Sequence, residues 1–349
     1  YSLPMSSAEQ SPDSPANSFF SLVPDSILDA VESALGGRTQ GFRATGRVVP
    51  LNSIENRVLE IEFEDQASYV VKFYRPGRWS PAQILEEHDF IARLNETGIP
   101  VVPPVELQRS AQSELLDSRA PTLARNQEGL FFAAFPKVRG KIMDELSDER
   151  LKTLGRFIAR LHAVGAERSV STRPKLDIST FGDQALERLT DSGFLASAMG
   201  QRYQMIAEEC LDRIEPMLEG ASQHLLHGDC HLGNVLWDMD APFIVDFDDM
   251  VIAPPVQDIW MIVRGDDEEA QRQREVLVGA YEELRHFDRA TFELIEPLRI
   301  LRMIHYSAWI ALRWTDPSFP RMFPTFGSDA WWQSEIEALA QSQSRIFER

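Results

Sequence analysis

The sequence predicts an α+β chain of two lobes: an N-terminal antiparallel β-sheet with one major helix, then a larger, mostly α-helical C-terminal lobe. Three observations lead there. β-type stretches crowd into the first part of the chain, at 42–49, 57–63 and 69–74. A single well-capped helical stretch follows them, starting at Ser80. From Ser147 onward the apolar period changes from two to 3.6, so helices dominate the remainder. The change places the boundary near 136–141 and divides the chain into a disordered segment 1–18, an N-terminal lobe 19–136 and a C-terminal lobe 137–349.

Each element has a local reason. Residues 1–18 are rich in Ser, Pro and Ala and offer little to bury. Asp25 is placed to cap a helix reaching Leu35, which Gly36 and Gly37 end. Alternation is clearest in Val58-Leu59-Glu60-Ile61-Glu62-Phe63. Ser80 reads as an N-cap with Pro81 at the first helical position, and the helix runs to Glu96. Gly98, Pro100, Pro103 and Pro104 punctuate its exit. The run 129–135 reads as a buried strand stopped by Pro136. Ser147 caps a helix with Leu151, Leu154, Ile158 and Leu161 on one face, ended by Gly165. The stretches 299–314 and 330–347 are also helical in pattern.

Composition narrows the function. A chain of 349 residues, 43% hydrophobic, can build a sizeable core. Its net charge of −19 argues against nucleic-acid or anionic-membrane binding, both of which need basic patches. Two cysteines make no disulfide framework and fit a reducing compartment. No apolar run approaches the roughly 18 residues of a membrane span, and the first residues carry no basic, apolar leader. The expected location is the cytoplasm.

The chemistry is concentrated in His227-Gly228-Asp229-Cys230-His231-Leu232-Gly233-Asn234, followed by Phe243-Ile244-Val245-Asp246-Phe247-Asp248. Asn234 stands five positions after Asp229, and Asp246 seventeen after it, at the end of an apolar run. Phosphoryl transfer from ATP needs such a set: one carboxylate to take the hydroxyl proton, and an amide oxygen with a second carboxylate to hold Mg²⁺. The spacing matches the kinase loop H-x-D-x-x-x-x-N and its following metal-binding Asp. Asp229 is therefore the candidate base, and Asn234 and Asp246 are the candidate metal ligands. Gly228 and Gly233 allow a tight loop, and the apolar flanks of Asn234 and Asp246 form a small hairpin that keeps the two ligands together.

Lys72 lies in the apolar run Tyr69-Val70-Val71-Lys72-Phe73-Tyr74 and needs a partner if buried. Kinases use such a lysine on the phosphates, paired to a helical Glu. Glu87 shares a helical face with Ile84, Phe90, Ile91 and Leu94 and is the better partner, with Glu86 as the alternative. Asn52, Ser53 and Asn56, in the loop before the second strand, can offer donors to phosphate. That loop lacks G-x-G-x-x-G. The segment 132–136, with Phe135, would present backbone groups to adenine at a hinge between the lobes. Asp258 and His227 read as braces of the catalytic loop, and no Cys or His pair stands at zinc spacing.

These motifs resemble the aminoglycoside phosphotransferase and choline kinase-like superfamily, with its H-G-D-x-x-x-x-N loop and protein kinase-like fold. Within it they are similar to a bacterial family of stress-response kinases. The similarity is carried by 50–58, 70–76, 83–88, 227–231 and 255–260. It implies a cytoplasmic, ATP- and Mg²⁺-dependent Ser/Thr protein kinase of stress survival that phosphorylates itself. It also implies Asp229 as active-site acid or base, Asn234 and Asp246 as Mg²⁺ ligands, and Ser53 near ATP. Three departures from eukaryotic protein kinases stand out: Gly228 where H-R-D has Arg, Asp246-Phe247-Asp248 where D-F-G is usual, and no A-P-E. They weaken the expectation of a phosphorylation-switched activation loop.

Two other readings stay open. A small-molecule kinase would use the acidic run 266–269 and Trp309, Trp314, Trp331 and Trp332 as a pocket for a cationic or hydroxylated metabolite. A metal-dependent phosphoester hydrolase would explain Gly228-Asp229-Cys230-His231, but it needs Gly-Asn-His-Asp and Gly-His-x-His motifs that the chain lacks.

Overall fold

A computed structural model of the chain describes residues 19, 22–36, 43–168 and 172–347. The described residues form two units, one up to Lys141 together with Leu236–Asp248, the other from Ile142–Val235 and from Asp249 onward. The segment 1–18 expected to be disordered lies outside the described residues. No helix among the described residues is long and apolar enough to cross a membrane.

The first unit is a six-stranded antiparallel sheet in the order β1-β2-β3-β6-β5-β4, from Ala44–Pro50 (β1), Arg57–Phe63 (β2), Ser68–Phe73 (β3), Ser113–Leu115 (β4), Ala124–Asn126 (β5) and Phe131–Pro136 (β6). Helix α1 (Pro24–Leu35) precedes it, and α2 (Pro81–Glu96) lies between β3 and β4. The cap of α1 differs from expectation. Val23 is its N-cap, without a side-chain bond, and Asp25 sits in the first turn. Pro24 explains the shift, because its fixed φ suits the first helical position. For α2 the Ser80 cap is completed by Gln83, whose side chain returns to the Ser80 backbone in a capping box.

Alternation along β3 decides which side chains meet. Val71 and Phe73 join Ile61, Phe63 and Phe132 in a buried cluster with Ile27, Val31 and Leu35 of α1. Residues of the opposite parity, such as Tyr74, face Ile84 of α2 and Ala133. Lys72 has that parity too.

The second unit is helical, with α3 (Asp148–Ala166), α4 (Gln184–Asp191), α5 (Ala198–Leu218), α6 (Val256–Ile262), α7 (Glu268–Glu282), α8 (Ile295–Leu312), α9 (Ser318–Met322) and α10 (Asp329–Phe347). Strand β7 (His224–Leu226) pairs antiparallel with β10 (Val251–Ala253). The hairpin of β8 (Val235–Asp238) and β9 (Ala241–Ile244), which lies between them in sequence, belongs from Leu236 onward to the first unit. Ser147 caps α3 as expected. Gly165, read as the end of that helix, lies inside it. A Cβ there would stand 2.1 Å from the Leu225 carbonyl oxygen. The glycine therefore serves close approach of α3 to β7, and the helix ends one residue later, at Ala166.

Candidate active site

The first unit holds the lysine group. Lys72 is 6% exposed. Its Nζ lies 3.1 Å from Asp246 Oδ1, 3.0 Å from Asp248 Oδ1 and 3.7 Å from Glu87 Oε1. Glu87 is buried on the inward stripe of α2 with Ile84, Phe90, Ile91 and Leu94, whereas Glu86 is half-buried beside it. Burial alone would lower the pKa of Lys72. The carboxylates of Asp246, Asp248 and Glu87 outweigh it and raise the value well above that of a free lysine. The ammonium is thus permanently charged, as a phosphate-holding group must be.

Asp248 is the member of this group that the sequence reading passed over. It is buried, accepts a 2.8 Å hydrogen bond from Asn56 Nδ2, and pairs with Arg78. Burial pushes its pKa up, but Lys72, Arg78 and Asn56 together pull it below the ordinary carboxylate value. Asn56 also accepts from the Arg75 backbone N–H at 3.1 Å, and Ser53 Oγ accepts from the Asn56 N–H at 3.2 Å. Arg75 Nε donates to the Glu55 carbonyl at 2.9 Å. Both ends of the Asn56 amide are therefore spent on holding the loop, while the Ser53 side is exposed. Phe135 is half-buried in β6, opposite Val70, with its ring edge-on to His88 at 6.1 Å. A charge so far down the chain as Arg78 has no sequence signal. Asp248 had one, since a second acid two residues after the metal-binding Asp needs a cation if its neighbours are apolar.

The second unit holds the acid group. Between β7 and the short turn Leu232–Asn234, the chain makes its sharp bend at Gly228, with φ +83°. Asp258 at the start of α6 fixes the bend. It is fully buried and accepts from the backbone N–H of His227 (3.1 Å) and of Gly228 (2.9 Å), with His162 Nε2 at 3.1 Å. Gln257 Nε2 donates to the Gly228 carbonyl at 3.0 Å. A Cβ on Gly228 would stand 2.4 Å from the Asp249 carbonyl oxygen. Gly228→Ala is accordingly expected to lose at least about 1–2 kcal/mol from the left-handed backbone alone, with the clash added. Urea unfolding and phosphotransfer assays check it, and a variant equal to wild type in both would refute the strain.

Asn234 donates its amide N–H to the Asp229 carbonyl at 3.0 Å, which leaves its carbonyl oxygen for another partner. The Asp229 carboxylate is 22% exposed and faces Arg302 of α8, whose Nη2 lies 2.9 Å from Oδ1. That nitrogen is off the line of a hydrogen bond, so charge alone holds the pair. His231 Nε2 lies 3.5 Å from Oδ2. Burial pushes the Asp229 pKa up, but His231, Arg302 and His227 together bring it well below that of a free carboxylate. Arg302 was absent from the sequence reading, and nothing in its α8 environment marks it.

Several of the residues expected to line a pocket for a cationic metabolite have other partners. Asp267 caps α7, Asp266 pairs with Arg299 at 3.0 Å, and Glu269 pairs with Arg272 at 2.8 Å. Trp332 is buried, Trp314 packs against Phe194 and Phe326, and Trp309 stacks on Tyr306 at 5.6 Å.

The phosphotransferase enzyme family, APH, matches residues 47–294. Stress response kinase A of Escherichia coli K12 is 36% identical over 330 residues, covering 94% of this chain and 95% of that protein. Serine/threonine protein kinase RdoA of Salmonella typhimurium LT2 is 34% identical over 334 residues, covering 95% and 96%. Among solved structures, an amicoumacin kinase, hAmiN, superposes with a TM-score of 0.64 at 20% identity, covering 90% of this chain and 93% of that one. A microcompartment-associated aminopropanol kinase does so at 0.59 and 19%, covering 88% and 94%. These two show the fold, a kinase-like one of mixed helix and antiparallel sheet. With a family match across most of its length and kinase relatives over nearly all of it, the chain belongs to the APH phosphotransferase family and is a kinase.

Proposed function

We propose that this kinase transfers the γ-phosphoryl group of ATP, carried with Mg²⁺, to a Ser or Thr hydroxyl of a protein, itself included, in the cytoplasm. The observation that carries the reading is Lys72 beside Asp246 and Glu87, at 3.1 and 3.7 Å, from a strand, a helix and a distant turn. Lys72 binds the phosphates and Glu87 keeps it in place. Ser53 lies in the loop that would cover the phosphates, and the Phe135 segment offers backbone groups to adenine. The exposed Asp246 carboxylate and the amide oxygen of Asn234 are hard oxygen donors of the kind Mg²⁺ prefers. A cation held by such donors would neutralise phosphate charge. An amicoumacin kinase of the same fold, in complex with AMP-PNP and Ca²⁺, supports nucleotide and divalent-cation use.

Asp229 receives the hydroxyl proton. Its low pKa makes it a weak base in the ground state. That suits a loose transition state, in which the attacking oxygen gives up its proton late and needs chiefly to be oriented. The Ser/Thr acceptor is supported by the RdoA relative. The amicoumacin and aminopropanol kinases favour the second reading, a small-molecule acceptor. Incubation with γ-labelled ATP and a panel of proteins, Ser/Thr peptides and amino alcohols separates them. Label on protein Ser or Thr is expected, and label on amino alcohols alone would overturn the protein-kinase reading.

A further inference from the structure

The candidate base sits among cations. Arg302, 42% exposed, is held 2.9 Å from Asp229 by charge alone. Arg264, exposed two residues past α6 with its Nε donating to the Met261 carbonyl at 3.3 Å, is within electrostatic reach of both. His231 adds an imidazole at 3.5 Å. The acids close by on α8 and before α7 do not offset them. Asp266 is taken by Arg299 at 3.0 Å and Arg345 at 2.5 Å, and Glu296 by Arg299 at 3.1 Å. Glu335 of α10 is largely buried, which lifts its pKa to about 7 against a weaker opposing pull from Ser307, so it is only partly ionised at neutral pH. One guanidinium group thus faces the carboxylate at the point where the acceptor hydroxyl must arrive, with a second within electrostatic reach.

We propose that Arg302, assisted by Arg264, selects the acceptor by binding an acidic side chain beside the accepting hydroxyl, so that the preferred substrate is a Ser or Thr flanked by Asp or Glu. The inference rests on the protein-kinase reading and names its substrate class. An arriving carboxylate takes the Arg302 fork in the bidentate geometry for which arginine is suited. Asp229 Oδ1 is then released to the hydroxyl. The hydroxyl O–H bond breaks with its proton passing to Asp229, the oxygen–phosphorus bond forms at the γ-phosphorus, and the bond to the β-bridging oxygen breaks with ADP leaving. A cationic acceptor meets like charge and leaves Asp229 occupied.

The test compares kcat/KM for three acceptors: a Ser peptide with flanking Glu, the same peptide with flanking Lys, and an amino alcohol. Wild type is expected to favour the Glu peptide by about tenfold, the scale of one well-made charge contact. Arg302→Gln should bring the two peptides to near parity, mainly through KM, and Arg302→Lys should restore part of the preference. Arg264→Gln should reduce it to a lesser degree. Thermal unfolding of each variant confirms folding. A wild-type ratio near one, or a ratio kept in Arg302→Gln, overturns the inference while leaving the protein-kinase reading intact. Transfer to the amino alcohol alone, or to no peptide, overturns that reading and the inference with it.

Discussion

Asp229→Asn is expected to slow phosphotransfer by about 10²–10⁴, the range for loss of a general base, while the unfolding midpoint and nucleotide affinity stay close to wild type. The reasoning starts from the electrostatics. Arg302 and His231 keep Asp229 ionised throughout the physiological range, so the wild-type carboxylate always presents an acceptor to the hydroxyl. Asparagine keeps the volume but turns part of that acceptor into a donor, and its oxygen no longer takes a proton. Stability should change little because Asp229 is partly exposed and its ion pair is not a well-aligned hydrogen bond. Single-turnover label transfer measures the rate directly. A variant within tenfold of wild type would remove Asp229 from the chemistry.

Asp258→Ala is expected to cost about 3–5 kcal/mol of stability, as when one partner of a buried charged network is removed. Three donors lose their acceptor at once: two loop amides and His162, all buried. Activity should fall with stability, because the same two amides hold the loop that carries Asp229. The pH dependence has a definite sign. Burial pushes the Asp258 pKa up, yet His162, His227 and the Gly228 amide bring it below the ordinary carboxylate value. A depressed native pKa contributes stability above the unfolded value of about 3.9, and the contribution is lost as pH falls through the native one. The gap between wild type and variant should therefore be full at neutral pH and narrow below about pH 4. Urea unfolding across that range measures it, and a gap that widens in acid would contradict the assignment.

The sequence was most legible where period or spacing repeats a physical constraint. Alternation in Val58–Phe63 gave β2, and the Ser80–Pro81 start gave α2. It was least legible where three residues make a strand. Strands β4, β5, β7 and β10 are too short to show a period, and pairing alone defines them. Among site residues, Lys72 and Glu87 were visible because a buried charge must find a partner, and the structure brings them within 3.7 Å. Arg302 and Arg78 were invisible, since arginines are common and only the fold sets these two beside a carboxylate. Gly165 was misread because a glycine near a helix end looks like a stop, whereas the Leu225 backbone is what excludes a side chain there.

Asp246 has a φ of +63°, a conformation that few non-glycine residues enter and that aspartate and asparagine tolerate best. The metal-binding proposal for this position therefore carries a stereochemical filter of its own. Alanine would lose the carboxylate and also resist the local handedness, so its phenotype would mix ligand loss with a rebuilt corner. Asparagine keeps the corner and exchanges only the charge. Of the residues at ease in that corner, only aspartate also brings a negative oxygen, so backbone shape and ligand chemistry converge on one amino acid here.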